Sequence, residues 1–94
     1  MPENIAVKAR IRGRVQGVWY RGWTEQQATR MGIHGWVRNR LDGSVEALFV
    51  GRQADVDDII MSLHDGPSGA RVDGVDTMSA PGMVHPNFEI KPTA

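Results

Sequence analysis

One stretch, Gly13-Arg14-Val15-Gln16-Gly17-Val18-Trp19-Tyr20-Arg21, forces a change of backbone period on the chain. Before it, Val7, Ala9, Ile11 and Gly13 alternate with Lys8, Arg10, Arg12 and Arg14, the period of two that marks a half-buried strand. After it, Trp23, Gln27, Ala28 and Met31 recur at helical spacing. The stretch is therefore a strand-to-helix turn, with two glycines to relieve backbone sterics where the chain reverses. Such a turn aims several backbone N–H groups in one direction, at a helix end that favours negative charge. Arg21 adds a planar fork that matches a phosphate bidentately. The turn is a candidate anion site, but strand-turn-helix connections with glycine also occur without a ligand. It lacks both the G-x-x-x-x-G-K-[ST] phosphate loop and the G-x-G-x-x-G dinucleotide pattern.

The rest of the chain reads as a frame for this turn. The first strand covers Ala6 to Arg14, with Val7, Ala9 and Ile11 facing a core and the cations facing water. The first helix runs from Arg21 or Gly22 to Met31, and Gly32 is its C-terminal stop. Thr24 followed by Gln27 also fits a capping box, which begins the helix at Thr24 and aims its terminus less directly at the loop. His34 to Leu41 reads as a second strand and Ser44 to Val50 as a third. Asp42-Gly43 between them is a hairpin signal, so the two strands are antiparallel neighbours. Val56, Ile59, Ile60 and Leu63 make an apolar stripe and place a second helix from Ala54 to His64. Asp55, Asp57 and Asp58 suit its first turns, and Gly66-Pro67-Ser68-Gly69 breaks it. Ala70 to Met78 reads as a fourth strand, Ser79 to Pro86 as a loop, and Phe88-Glu89-Ile90-Lys91 as a short last strand. The order predicts an α+β chain with one antiparallel sheet, both helices packed on one face and a short C-terminal strand. That is the ferredoxin-like split βαβ arrangement, βαββαβ, which hosts unrelated activities and by itself argues for none.

Composition narrows the possibilities. Residues 1–94 suffice for a single domain, with its core expected between Ala6 and Lys91. Without cysteine there is no disulfide framework, thiolate zinc site or cysteine nucleophile. No apolar run approaches a membrane span, and Met1-Pro2-Glu3-Asn4 lacks the features of a signal peptide, so a cytoplasmic protein without a membrane partner is expected. The 11 basic and 11 acidic residues cancel, yet the basic ones crowd the first half while acids gather at Asp55, Asp57, Asp58 and Asp65. That one-sided field suits an anionic ligand. His34, His64 and His85 have no paired-ligand spacing, so no metal site is expected. Met31, Met61, Met78 and Met83 read as packing residues.

One residue breaks its pattern. In the second strand Gly35, Val37, Asn39 and Leu41 share a face, and the row with Val37 and Leu41 is the core-facing one. Asn39 then stands where an apolar residue is expected, and a buried amide without partners costs on the order of a few kcal/mol. Either it lies near the strand end and bonds a loop carbonyl or begins the turn before Asp42-Gly43, or it faces a polar pocket and holds a water or ligand.

These residues together match a known pattern. Gly13 to Arg21, then Gly35-Trp36-Val37-Arg38-Asn39, then Asp42-Gly43-Ser44-Val45-Glu46 closely resemble the acylphosphatase family, and the likeness continues to Phe88-Glu89-Ile90. The resemblance implies the ferredoxin-like α/β fold and hydrolysis of a small-molecule acyl phosphate to a carboxylate and inorganic phosphate. It implies that the loop Val15, Gln16, Gly17, Val18, Trp19, Tyr20 cradles the phosphoryl group with backbone N–H donors. Arg21, matching the family's arginine, would grip its oxygens, and Asn39, matching the family's asparagine, would orient the attacking water. A carboxylate leaves readily, so positioning and charge stabilisation suffice, without metal or cofactor. Two residues depart from the pattern. Tyr20 stands where the family most often has phenylalanine, which adds a hydroxyl beside the loop. Gly22 follows the arginine and is expected to loosen the helix start.

The competing class is a nucleic-acid module, because the same fold carries RNA-recognition domains and Lys8, Arg10, Arg12, Arg38 and Arg40 share the open sheet face. Such domains stack bases on aromatics of the central strands, whereas the outward positions of the first strand here are cations. Trp36 is the one outward aromatic, and a salt-bridged face including Glu46 is the better reading. A monomer with no nucleic-acid partner is expected.

Overall fold

The structure, a computed structural model, describes residues 4–81 and 84–94. The start Met1-Pro2-Glu3 and, within the Ser79 to Pro86 loop, Gly82 and Met83 lie outside the described residues. The elements run β1 (Asn4–Arg14), α1 (Tyr20–Arg30), β2 (His34–Asn39), β3 (Val45–Arg52), α2 (Gln53–Leu63), β4 (Arg71–Ser79) and β5 (Phe88–Ile90). One sheet holds the strands in the order β4-β1-β3-β2-β5. The pairs β1–β3, β1–β4 and β2–β3 are antiparallel, as expected of the split βαβ order. The terminal strand β5 instead lies parallel to β2, with Gly35 opposite Phe88 and Val37 opposite Ile90, so the five-stranded sheet is mixed. Alternation in Phe88-Glu89-Ile90 assigns faces but carries no direction, which is why the sequence does not reveal this.

Both helices cover one face, where Ala9, Ile11, Val37, Val45, Ala47 and Phe49 of the sheet meet Ala28 of α1 and Val56, Ile59 and Leu63 of α2. Phe88 seals the β5 edge by stacking on Phe49 at 5.7 Å. Of the stripe expected for α2, Val56, Ile59 and Leu63 are buried and Ile60 is half-buried against the core.

Helix α1 starts earlier than either alternative read from the sequence. Tyr20 is its first residue, and Thr24, the expected cap, is buried in the second turn with its hydroxyl donating to the Tyr20 carbonyl at 2.8 Å. A threonine hydroxyl can bond the carbonyl four residues back as readily as a free N–H, and here burial of Tyr20 decides between them. The Tyr20 hydroxyl does not lie beside the loop. It donates to the Leu63 carbonyl at 2.6 Å and so caps the end of α2 from the start of α1. Burial pushes its phenol well above the usual tyrosine range.

The hairpin between β2 and β3 also departs from expectation. β2 ends at Asn39 and β3 begins at Val45. The Arg40 N–H donates to the Ser44 carbonyl at 2.8 Å and the Gly43 N–H to the Arg40 carbonyl at 3.1 Å, leaving a three-residue loop with Gly43 at φ 93°. Such loops end on a glycine in the left-handed region. Leu41 therefore falls in the loop and is 88% exposed, not core-facing. Asp42 closes the turn by accepting from the Ser44 N–H at 2.9 Å and its hydroxyl at 2.6 Å. These hydrogen bonds hold the Asp42 carboxyl below the usual range.

On the open face, Glu46 is 4% exposed and sits among four cations. Arg38 donates to it at 2.8 Å, and Lys8, Arg10 and Arg40 lie within 3.5–3.6 Å. Arg12 pairs with Asp76, and the Trp36 ring lies under Arg38 and Lys91. The face is thus salt-bridged, as expected, and its Trp36 ring is covered by cations. Burial raises the Glu46 carboxyl, but the Arg38 hydrogen bond and the charges of Arg38, Lys8 and Arg10 outweigh it and hold the group below its ordinary value. Glu46→Gln is expected to cost about 1–3 kcal/mol in urea unfolding at neutral pH. A folded value below the unfolded one makes this contribution complete above the ordinary carboxylate range and lost as pH falls through the lowered value. The gap between wild type and variant should therefore close in acid, below about pH 4.

Candidate active site

The loop between β1 and α1 joins two left-handed residues, Gly17 at φ 73° and Trp19 at φ 66°, with Val18 between them outside that region. Left-handed residues alternating with others turn successive N–H groups inward, forming a concavity that suits an anion. Among the described residues, the N–H groups of Gln16, Gly17, Val18 and Trp19 donate to no carbonyl or side chain. The helix continues the set. The first bond of its first turn runs from the Trp23 N–H to the Trp19 carbonyl at 3.0 Å, so Tyr20, Arg21 and Gly22 carry the orphan donors of a helix start. No acidic residue occupies that turn and no side chain caps it, which leaves the positive end of the helix open.

Val15, Gly17, Trp19, Tyr20, Arg21, Gly22, Asn39 and Ile90 line one concavity of about 260 Å³. The structure therefore brings together the three features singled out in the sequence: the glycine loop, Arg21 and Asn39. Arg21 makes no hydrogen bond or ion pair with other described residues. Asn39 is 9% exposed, and its Oδ1 is buried without a partner among the described residues. The loop-carbonyl explanation for Asn39 fails because its Nδ2, the only side-chain group that could donate to a carbonyl, donates to none among the described residues. Its backbone is fixed instead, because β2 pairs with β3 and the Ala94 N–H donates to the Asn39 carbonyl at 3.1 Å. An orphaned buried acceptor costs about 1–3 kcal/mol, so its retention beside an arginine is a sign of function.

Three contributions escape sequence reasoning. The N–H groups of Gly17 and Val18 stay unbonded among the described residues, but the Gln16 side chain reaches across to the hairpin, where its amide donates to the Arg40 carbonyl at 2.8 Å and the Ser44 carbonyl at 2.9 Å. Gln16 thereby ties the loop to the segment that follows Asn39. Gly22 does not merely loosen the helix, because a Cβ there would collide with the indole of Trp19. Its bare edge seats that ring. Ile90 joins the site only through the parallel pairing of β5 with β2. For Gln16→Glu, which sets an oxygen against two carbonyls, inhibition by inorganic phosphate is expected to weaken about tenfold, measured as the inhibition constant.

An acylphosphatase family model matches residues 7–90. The chain belongs to the acylphosphatase family. An acylphosphatase of Rhizorhabdus wittichii is 46% identical over 92 residues, covering 98% of this chain and 93% of the relative. One of Rhodospirillum rubrum is 49% identical over 84 residues, covering 89% and 92%. Among solved structures, an acylphosphatase from Coxiella burnetii superposes with a TM-score of 0.91 at 25% identity, covering 95% of this chain and 94% of the other. One from Bacillus subtilis gives 0.87 at 27% identity, covering 93% and 98%. The family assignment extends across both halves of the concavity, since Arg21 and Asn39 lie within the matched span.

Proposed function

We propose that the concavity hydrolyses an acyl phosphate to a carboxylate and inorganic phosphate. The loop amides from Val15 to Tyr20 hold the phosphoryl oxygens, and the Arg21 guanidinium neutralises the charge that builds on them as the transition state forms. Asn39 Oδ1 accepts a hydrogen bond from water and holds its oxygen in line with the bond to the acyl group. A new P–O bond forms from the water while the P–O bond to the acyl group breaks. The carboxylate departs with the electron pair. The water proton passes to a phosphate oxygen of the substrate itself, because no carboxylate or histidine among the described residues lines the concavity. The observation that carries this reading is that Asn39, whose buried oxygen has no partner among the described residues, lines the same concavity as Arg21 and the loop with the free amides.

The same reading takes residues 1–94 as one domain with its core between Ala6 and Lys91, acting as a monomer in the cytoplasm. A small acyl phosphate is its partner, and no nucleic acid is. In support, one apolar cluster spans Ala9 to Phe88, and no helix among the described residues is long and apolar enough to cross a membrane. The test is hydrolysis of benzoyl phosphate by the purified protein with a chelator present. Turnover with competitive inhibition by inorganic phosphate is expected, and a folded protein that turns nothing over would overturn the proposal.

A further inference from the structure

The proposed chemistry engages only the phosphoryl end of the substrate, which all acyl phosphates share. Selection among them must come from what meets the acyl group. Two large apolar side chains that stand exposed line this same concavity: Trp19, 58% exposed, and Ile90, 42% exposed. The other large exposed apolar side chains among the described residues, Leu41, Met61 and Met78, do not line it. Single exposed apolar residues are ordinary on protein surfaces, but Trp19 is held where it is by two features. Its backbone occupies the left-handed region, which a bulky residue adopts only when its surroundings enforce it. Its indole also lies against the bare edge of Gly22, where any Cβ would strike Nε1, Cε2 and Cδ1. The ring is thus seated at the rim and not folded into the core, at the residue whose own N–H belongs to the loop.

We infer that Trp19 and Ile90 form an apolar wall for the acyl group and make the site selective for acyl phosphates with apolar, above all aromatic, acyl groups. An indole face offers an aryl group area and favourable ring geometry, which a methyl group cannot exploit. The inference rests on the hydrolase reading above and deepens it by naming the substrate class.

The test compares kcat/KM for benzoyl phosphate with kcat/KM for acetyl phosphate in wild type and three variants. Trp19→Gly relieves the left-handed backbone while removing the ring, and any general effect on the loop cancels in the ratio of the two substrates. The benzoyl-to-acetyl ratio is expected to fall about tenfold in Trp19→Gly and about threefold in Ile90→Ala, and to stay within about twofold of wild type in Trp19→Phe. An unchanged ratio in Trp19→Gly would overturn the inference. Arg21→Ala, assayed alongside, separates the two proposals. If it abolishes turnover of both substrates while the Trp19→Gly ratio does not move, only the apolar wall fails. If it leaves both rates intact, the hydrolase reading of the site fails and the wall fails with it.

Discussion

Arg21→Ala is expected to lower kcat/KM for benzoyl phosphate by about 10³-fold, equivalent to about 4 kcal/mol of transition-state stabilisation. The magnitude follows from the division of labour at the site. Backbone amides carry partial charges only, so among the described residues the guanidinium is the one full positive charge lining the concavity. Phosphoryl transfer asks little of a protein beyond positioning and charge neutralisation, and removing the neutralising charge removes most of what the protein supplies. The fold should hardly notice. Arg21 has no hydrogen bond or ion pair to other described residues, so the urea midpoint of the variant should stay within about 0.5 kcal/mol of wild type. Arg21→Lys should recover only part of the loss, because an ammonium supplies the charge without the planar fork. A variant that is folded and fully active would remove Arg21 from the mechanism.

The second large effect is expected at Asn39 and has a different signature. Asn39→Ala should lower kcat for benzoyl phosphate by about 10²-fold or more, while the inhibition constant for inorganic phosphate changes by less than about threefold. Oδ1 is an acceptor, and the phosphoryl oxygens of the bound substrate are acceptors too, so in the proposed mechanism the amide oxygen serves the water. Removing an acceptor already unpaired in the fold should leave stability unchanged or slightly raised. Asn39→Asp should instead weaken phosphate binding, by setting a second negative charge beside the phosphoryl group. Loss of phosphate binding in a folded Asn39→Ala variant would make Asn39 a ligand contact and leave the water without a guide.

Much of this was legible in the chain because the deciding signals are local. The alternation through Val7, Ala9 and Ile11 and the stripe through Val56, Ile59 and Leu63 report burial directly, and each is buried or half-buried as its period demands. Asn39 was legible as a polar residue in an apolar row, and its unpaired oxygen bears out the anomaly. What was not legible depends on partners that carry no side-chain signature. Gln16 bonds two backbone carbonyls, 24 and 28 residues away, and any residue could have supplied them. Leu41 extended the alternation of β2 by pattern, but the three-residue loop ended the strand before it. Thr24 had a valid local signal for a cap that lost to the burial of Tyr20 one turn earlier. Ile90 could be placed at the site only once the direction of β5 was known. Gly22 looked like a cost to the helix because the ring that needs its bare edge sits three residues before it, in a conformation a tryptophan seldom adopts.

The central claim is that Asn39 directs water at phosphorus and not at the acyl carbon. The most direct test is hydrolysis of benzoyl phosphate in water enriched in oxygen-18, with mass analysis of both products after single turnover of each substrate molecule. Attack at phosphorus predicts one labelled oxygen in inorganic phosphate and none in benzoate. Label in benzoate would mean that the acyl carbon is the electrophile, and would contradict the roles proposed for Asn39, Arg21 and the loop together.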